Sequence, residues 1–270
     1  MKLVLSFFLA LATLSTFAQK DFEGVATYMS KTTMDMSRFG NQMSEQQKKQ
    51  MMARMKNFLE KTYKLSFNKN ESSFKEEVTL DAPGSSGPRW GKSNGQGSIY
   101  KNLKERQMIE DVEQFSKRFL IVEPMEQPKW ELGTESRKIG QYTAYKATMT
   151  IEDKNIDFGS IFGRGRNNAK DSTKTEDVKM LNVTAWYTPQ IPVSSGPESY
   201  WGLPGLILEL NAGRTTMLCT EIVINPSESV KIDKPTKGKE VTRQEYNEII
   251  QEKTEELKER FQNRRGGRKF

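Results

Sequence analysis

The sequence predicts a mostly β protein with two flanking helices. Short runs alternating apolar with polar residues, rich in β-branched and aromatic side chains, recur from residue 22 to residue 224. Turn-forming Asn, Gly and Pro separate those runs. Only two stretches, 43–61 and 242–264, carry apolar residues at helical spacing.

The chain opens with MKLVLSFFLALATLSTFA, a lysine followed by a short apolar run and then small residues. That order predicts a secretory signal peptide over 1–18, cut near Ala18, and an exported protein, periplasmic or extracellular. The apolar run is too short to span a bilayer, and no later stretch approaches one. The run holds no cysteine, which excludes a lipoprotein anchor there.

Phe22 to Ser30 (FEGVATYMS) predicts the first strand. Met43 to Lys61 predicts a helix, started by a Ser44/Gln47 capping box and marked by Met51, Met55, Phe58 and Leu59. A methionine stripe can serve a soft metal or a promiscuous partner, but at helical spacing it more simply fills core gaps. Tyr63, Leu65 and Phe67 alternate with polar residues, Asn68-Lys69-Asn70 turns the chain, and Ser72 to Leu80 returns as a hairpin partner. Residues 81–97 are rich in Gly, Pro and Ser and predict a loop. Strands are expected at 98–103, 106–112, 118–123, 129–137 and 141–151. Residues 163–180 are polar and aperiodic, a surface insert, and Leu181 to Tyr187 predicts another strand. Thr242 and Glu245 form a second capping box, opening a helix whose apolar face is Tyr246, Ile249, Ile250, Leu257 and Phe261. The expected layout is one β-rich domain over 19–263 and a basic, disordered tail over 264–270.

Most turn chemistry lies in residues 186–210, WYTPQIPVSSGPESYWGLPGLILEL. Leu203-Pro204-Gly205-Leu206 fits a type II turn, with Pro fixing φ and Gly at positive φ. The apolar run to Leu210 then enters a strand that turns back at Asn211-Ala212-Gly213 into Thr215 to Ile224. Nothing in the turn is a nucleophile or a proton carrier, so it reads as a device that aims a strand.

This stretch resembles the signature of the GLPGLI family of exported proteins from Bacteroidota. Gly202, Leu203, Pro204, Gly205, Leu206 and Ile207 match its hexapeptide letter for letter, and Trp186, Tyr187, Ile191, Pro192, Gly196 and Pro197 fit the extended pattern. Trp130, Lys138-Ile139-Gly140, Tyr142 and Lys146-Ala147 resemble a second element of the family. Many relatives carry a cysteine in that element where this chain has Ala144, so a disulfide through that position is not available. The resemblance implies an envelope protein with a large curved antiparallel sheet, bowl-like or half-barrel, and it supplies no activity.

The chain contains no histidine and one cysteine, Cys219. Ser-His-Asp and Cys-His catalysis, imidazole-dependent zinc sites and thiolate cages are excluded. No phosphate-binding loop appears, and no cofactor or metal is expected. Cys219 reads as a small buried side chain. The net charge of +7 falls to +2 once Lys2 and the four cations of residues 264–270 are set aside, so no nucleic acid is expected. The tail is the one segment suited to weak contact with an anionic surface.

Three functions remain open. The first is a non-enzymatic binding or interaction module, with the motif residues from Trp186 to Ile207, including Trp201, as its surface and an envelope protein or a glycan as partner. The second is a carrier of an apolar or amphipathic ligand in the curved sheet, suggested by the strands and by Trp90, Trp130, Trp186 and Trp201. The third is a carboxylate-dependent glycan hydrolase using Glu209, set opposite Leu206, Leu208 and Leu210 on an alternating strand, and Glu221 on the partner strand. Two charges on the wet side of a sheet explain that last pair more simply.

Overall fold

Alternating strands with one buried face must cover that face, and this chain covers it with its own loop and a helix. The computed structural model describes residues 22–33, 44–77, 95–152 and 180–266. The expected signal peptide, Trp90 with most of its loop, nearly all of the polar insert and residues 267–270 lie outside these.

Among the described residues twelve strands form one open, curved sheet. In chain order they are β1 (Glu23–Thr32), β2 (Glu60–Asn68), β3 (Glu71–Glu76), β4 (Gly95–Asn102), β5 (Gln107–Gln114), β6 (Lys117–Pro124), β7 (Glu131–Ile139), β8 (Tyr142–Glu152), β9 (Met180–Thr188), β10 (Leu206–Ala212), β11 (Thr215–Ile224) and β12 (Lys239–Val241). Helix α1 (Glu45–Leu59) joins β1 to β2, and α2 (Arg243–Gly266) follows β12. The spatial order is β12-β6-β5-β4-β3-β2-β1-β11-β10-β9-β8-β7. Every pairing is antiparallel except β12 with β6, and β12 is the one strand the sequence did not predict. Three residues leave too short an alternation to see.

Local chemistry explains the connections. The Asn68 side chain accepts from the backbone N–H of Asn70 (2.8 Å) and Glu71 (2.7 Å), closing the β2–β3 turn. Phe115 and Ser116 both take positive φ, 51° and 59°, as a two-residue hairpin between right-twisted strands requires. Gly213, at φ 59°, carries the tight β10–β11 turn, so β10 runs on through Asn211 and Ala212.

Both capping boxes form. Ser44 Oγ accepts from Gln47 N–H and Gln47 Oε1 from Ser44 N–H, and Thr242 and Glu245 exchange the same pair. Along α1 Leu59 is buried and Met51 and Met55 are half-buried. The methionine stripe therefore packs only partway.

Register sets the core face. Ala26, Leu65, Phe74 and Ile99 line up across β1 to β4, beside the row Gly24, Phe67, Ser72 and Lys101. These residues, excepting the polar pair Ser72 and Lys101 and the glycine, belong to one apolar cluster with Ile191, Val193, Tyr200, Leu203 and Leu206 to Leu208. At the β6 end, Phe119 and Ile121 meet Tyr246 and Ile249 of α2. Arg243 ties that helix to Glu110 and Glu123.

Candidate functional site

The segment from Pro189 to Gly205 leaves β9 and lies on the core face before the chain re-enters the sheet as β10. Two proline-centred turns fold it. Val193 N–H donates to Ile191 O (2.8 Å), and Gly205 N–H donates to Leu203 O (2.8 Å). Each bond spans two residues, so Leu203-Pro204-Gly205 is a three-residue turn.

The expected type II turn is thereby corrected. Gly205 does not take positive φ; Gly202 does, at 91°. Gly205 is required for closeness, because a β-carbon there would fall on the Thr188 carbonyl oxygen. Ile191 O then accepts from Leu206 N–H (3.0 Å), and Ser195 O accepts from Ile207 N–H (3.2 Å). Leu203, Leu206 and Ile207 are buried, and Pro192 and Pro204 point outward.

Three polar groups from the other half of the sheet hold this loop. Lys101 is fully buried, and its ammonium donates to the carbonyls of Gly196 (2.7 Å), Glu198 (2.7 Å) and Tyr200 (3.1 Å). Glu198 sits at φ 49°, a bend that helps alternate carbonyls converge on one point. Ser195 Oγ donates to Ser72 Oγ (2.9 Å), and Tyr28 donates its hydroxyl proton to Ile207 O (2.6 Å). On the loop's far side Trp130 Nε1–H donates to Trp201 O (2.8 Å), which fixes the half-buried Trp201 backbone.

Burial pushes the Lys101 ammonium down to about 7, against the pull of the Glu198 carboxylate. Burial lifts Glu198 up to about 7, helped by Glu110 and opposed by Lys101. The three carbonyls favour the charged lysine, so its proton is held by geometry as much as it is expelled by burial. Cys219, half-buried, is pushed up to about 12 by burial and is no ready nucleophile.

The opposite face carries a different constellation. Across five strands the register aligns Lys146, Trp186, Glu209, Leu218 and Met29. Residues directly opposite one another share a face. Arg137, on edge strand β7, stacks its guanidinium 4.0 Å from the Trp186 ring centre and pairs with the Glu209 carboxylate. Asn211 donates to the second Glu209 oxygen (2.9 Å) and accepts from the Thr216 hydroxyl (2.7 Å). Beside this network Leu218 and Met29 are 39% and 52% exposed, which places apolar surface next to a fixed aromatic–ionic group.

The structure therefore divides the sequence-predicted residues. Tyr187, Gly196, Pro197, Leu203, Gly205, Leu206 and Ile207 serve the interior, and Trp186 faces out. Glu209 is committed to Arg137 and Asn211 and is not paired with Glu221. Glu221 is exposed opposite Thr27, three residues beyond Leu218, or about 10 Å along the sheet at the usual rise. A two-carboxylate site is not assembled. Over β1 to β4 the core face, where a carried ligand would lie, is filled by the loop.

Lys101, Ser72, Tyr28 and Arg137 escaped the sequence reading. Lys101 had one signal, its phase with Ile99 on β4, which puts it on the core face. The Ala144 position is fully buried.

Residues 130–209 match the model of a family described as "Protein of unknown function (Porph_ging)". The match runs from the Trp130 clamp to Glu209, and so contains the loop but none of its anchors Lys101, Ser72 and Tyr28. No curated protein matches this chain. Among solved structures it is similar to PNGF-II in the C2 space group, at 12% identity over 85% of this chain and 32% of that one, with a TM-score of 0.48. PNGF-II in the P21 space group gives 13% identity over 85% and 33%, with a TM-score of 0.47. The chain thus spans about a third of the length of either.

Proposed function

We propose that this is an exported cell-envelope protein of the GLPGLI type that acts as a non-enzymatic interaction module. The loop supplies architecture, and the partner meets the opposite face. One observation carries the reading: the row Lys146, Trp186, Glu209, Leu218 and Met29, locked by Arg137, is an ordered surface of mixed character on the face opposite the loop. Rigid aromatic and arginine groups beside exposed apolar side chains are typical of protein-binding hot spots. The partner is an envelope protein.

A photo-crosslinking residue at Leu218 tests this in intact cells. A discrete crosslinked species is expected, lost in Met29→Asp and Trp186→Ala variants that keep the wild-type unfolding midpoint. A pattern no different from a crosslinker at the exposed Lys231 defeats the proposal. Fractionation showing the protein in the cytoplasm with residues 1–18 intact defeats the export half.

A further inference from the structure

At the β6 end of the sheet the coverage is thinner. A cavity of about 410 Å³ opens between the start of β6, β12 and the second turn of α2, lined by Lys117, Arg118, Phe119, Lys239 and Ile249. That volume lies within the range of small-molecule sites. The lining has two halves. Phe119 is buried, edge-on to Tyr246 at 5.6 Å between ring centres, and with Ile249 it forms an apolar floor. The rim is wholly cationic.

The three cations differ in their commitments. Arg118 donates Nε–H to Asp111 Oδ1 (2.7 Å), and its Nη2 binds the other oxygen, so its charge is balanced. Lys117 and Lys239 make no ion pair among the described residues and are exposed. The helix carboxylates whose field reaches these lysines have closer partners: Glu245 accepts from Thr242, both oxygens of Glu256 accept from Lys253, and Lys239 and Lys117 act on them only as lesser influences. No carboxylate lines the cavity among the described residues. Two ammonium groups without a close carboxylate among the described residues, above an apolar floor, attract one class of molecule, and a neutral apolar ligand would leave both unused.

We propose that this cavity binds an organic anion with an apolar body, a carboxylate or phosphate monoester whose head sits between Lys117 and Lys239 and whose chain lies on Phe119 and Ile249. Such a group comes either as a free metabolite or as the exposed part of an acidic lipid. The site stands apart from the Trp186 row, so either can fail without the other.

Amide shifts in the full mature chain, titrated separately with decanoate, decyl phosphate and decanol, test it. Saturable shifts confined to residues 117–119, 239–241 and 246–250 are expected for the two anions. Decanol should bind at least tenfold more weakly, and a Lys117→Gln/Lys239→Gln double variant should lose at least tenfold in anion affinity. Ile249→Trp, which fills the floor, should abolish the shifts. Because the two lysines are exposed, the double variant tests the site even where Ile249→Trp does not fold. Vesicles of phosphatidylglycerol in phosphatidylcholine separate the sources: binding that Ile249→Trp removes identifies a lipid headgroup. Vesicle binding indifferent to Ile249→Trp, with no shifts from either free anion, overturns the proposal. So does equal binding of decanol and decanoate.

Discussion

The loop end and the helix end of this sheet both cover an apolar face, and they do it with opposite economies. Over β1 to β4 an irregular segment is laid into the core, and its backbone is satisfied by buried side chains reaching from strands far away in sequence: Lys101, Ser72 and Tyr28. Over β6 a regular helix satisfies its own backbone, needs only a few apolar contacts, and keeps its ionic partners near the surface. An irregular segment can be buried only where every carbonyl and amide finds a partner. The loop end is therefore over-determined and closed, and the helix end retains a cavity.

The largest effect should come from the central anchor. Lys101→Met keeps the stem's volume and removes the charged donor to three buried carbonyls. A loss of about 3–5 kcal/mol in unfolding free energy is expected, since each orphaned acceptor bears its full desolvation cost. At the helix end Lys239→Met should change stability by less than about 0.5 kcal/mol, as exposed substitutions usually do. Urea unfolding of both variants measures the contrast. Equal losses would mean that the two ends are held alike.

Next is the close approach at Gly205. Gly205→Ala must push the Thr188 carbonyl away and break the junction of β9 with β10. Overpacking of this kind costs about 1–3 kcal/mol. Because φ there is not in the left-handed region, the cost arises from contact alone. A companion Gly140→Ala, at φ 57° with no atom within 4 Å of the added carbon, separates strain of conformation from strain of contact. If Gly205→Ala unfolds at the wild-type urea midpoint, the glycine does not hold the turn in place.

How much of this was legible follows from the physics of each feature. Strands such as Tyr63, Leu65, Phe67 and the two capped helices rest on local periodicity and capping pairs, which a sequence displays directly. The Pro–Gly corner was visible as a corner, but its type was not, because proximity to Thr188 and a bend at Gly202 are equally good reasons for glycine. Lys101 looked like any strand lysine until the topology put three carbonyls above it. The Trp186 row depends on register across five strands, which no single segment encodes. Glu209 was sensed as unusual for the right reason, an acid among leucines; its partner, Arg137, lies on a strand 72 residues away.

The smallest effect is the one with a direction that can be worked out from the anchor itself. Glu198 in the folded chain titrates up near 7, against an ordinary 4.5. Between those values the folded state holds a proton the unfolded state has released, so stability falls as pH rises. Lys101 titrates down near 7, against an ordinary 10.5. Above 7 the unfolded state holds the extra proton, so stability rises with pH. Together they predict a shallow minimum of unfolding free energy near neutrality between pH 5 and 9. The limbs should be shallower than the limit of about 1.4 kcal/mol per pH unit, because Glu198 keeps part of its surface in water and the three carbonyls resist loss of the lysine proton. Glu198→Gln should flatten the acidic limb and, by removing the carboxylate that helps Lys101 keep its proton, start the alkaline limb at lower pH, whereas Lys239→Met should alter neither. A wild-type profile flat from pH 5 to 9 would show that Glu198 is ionised and Lys101 charged throughout, and that the loop is anchored by an ion pair.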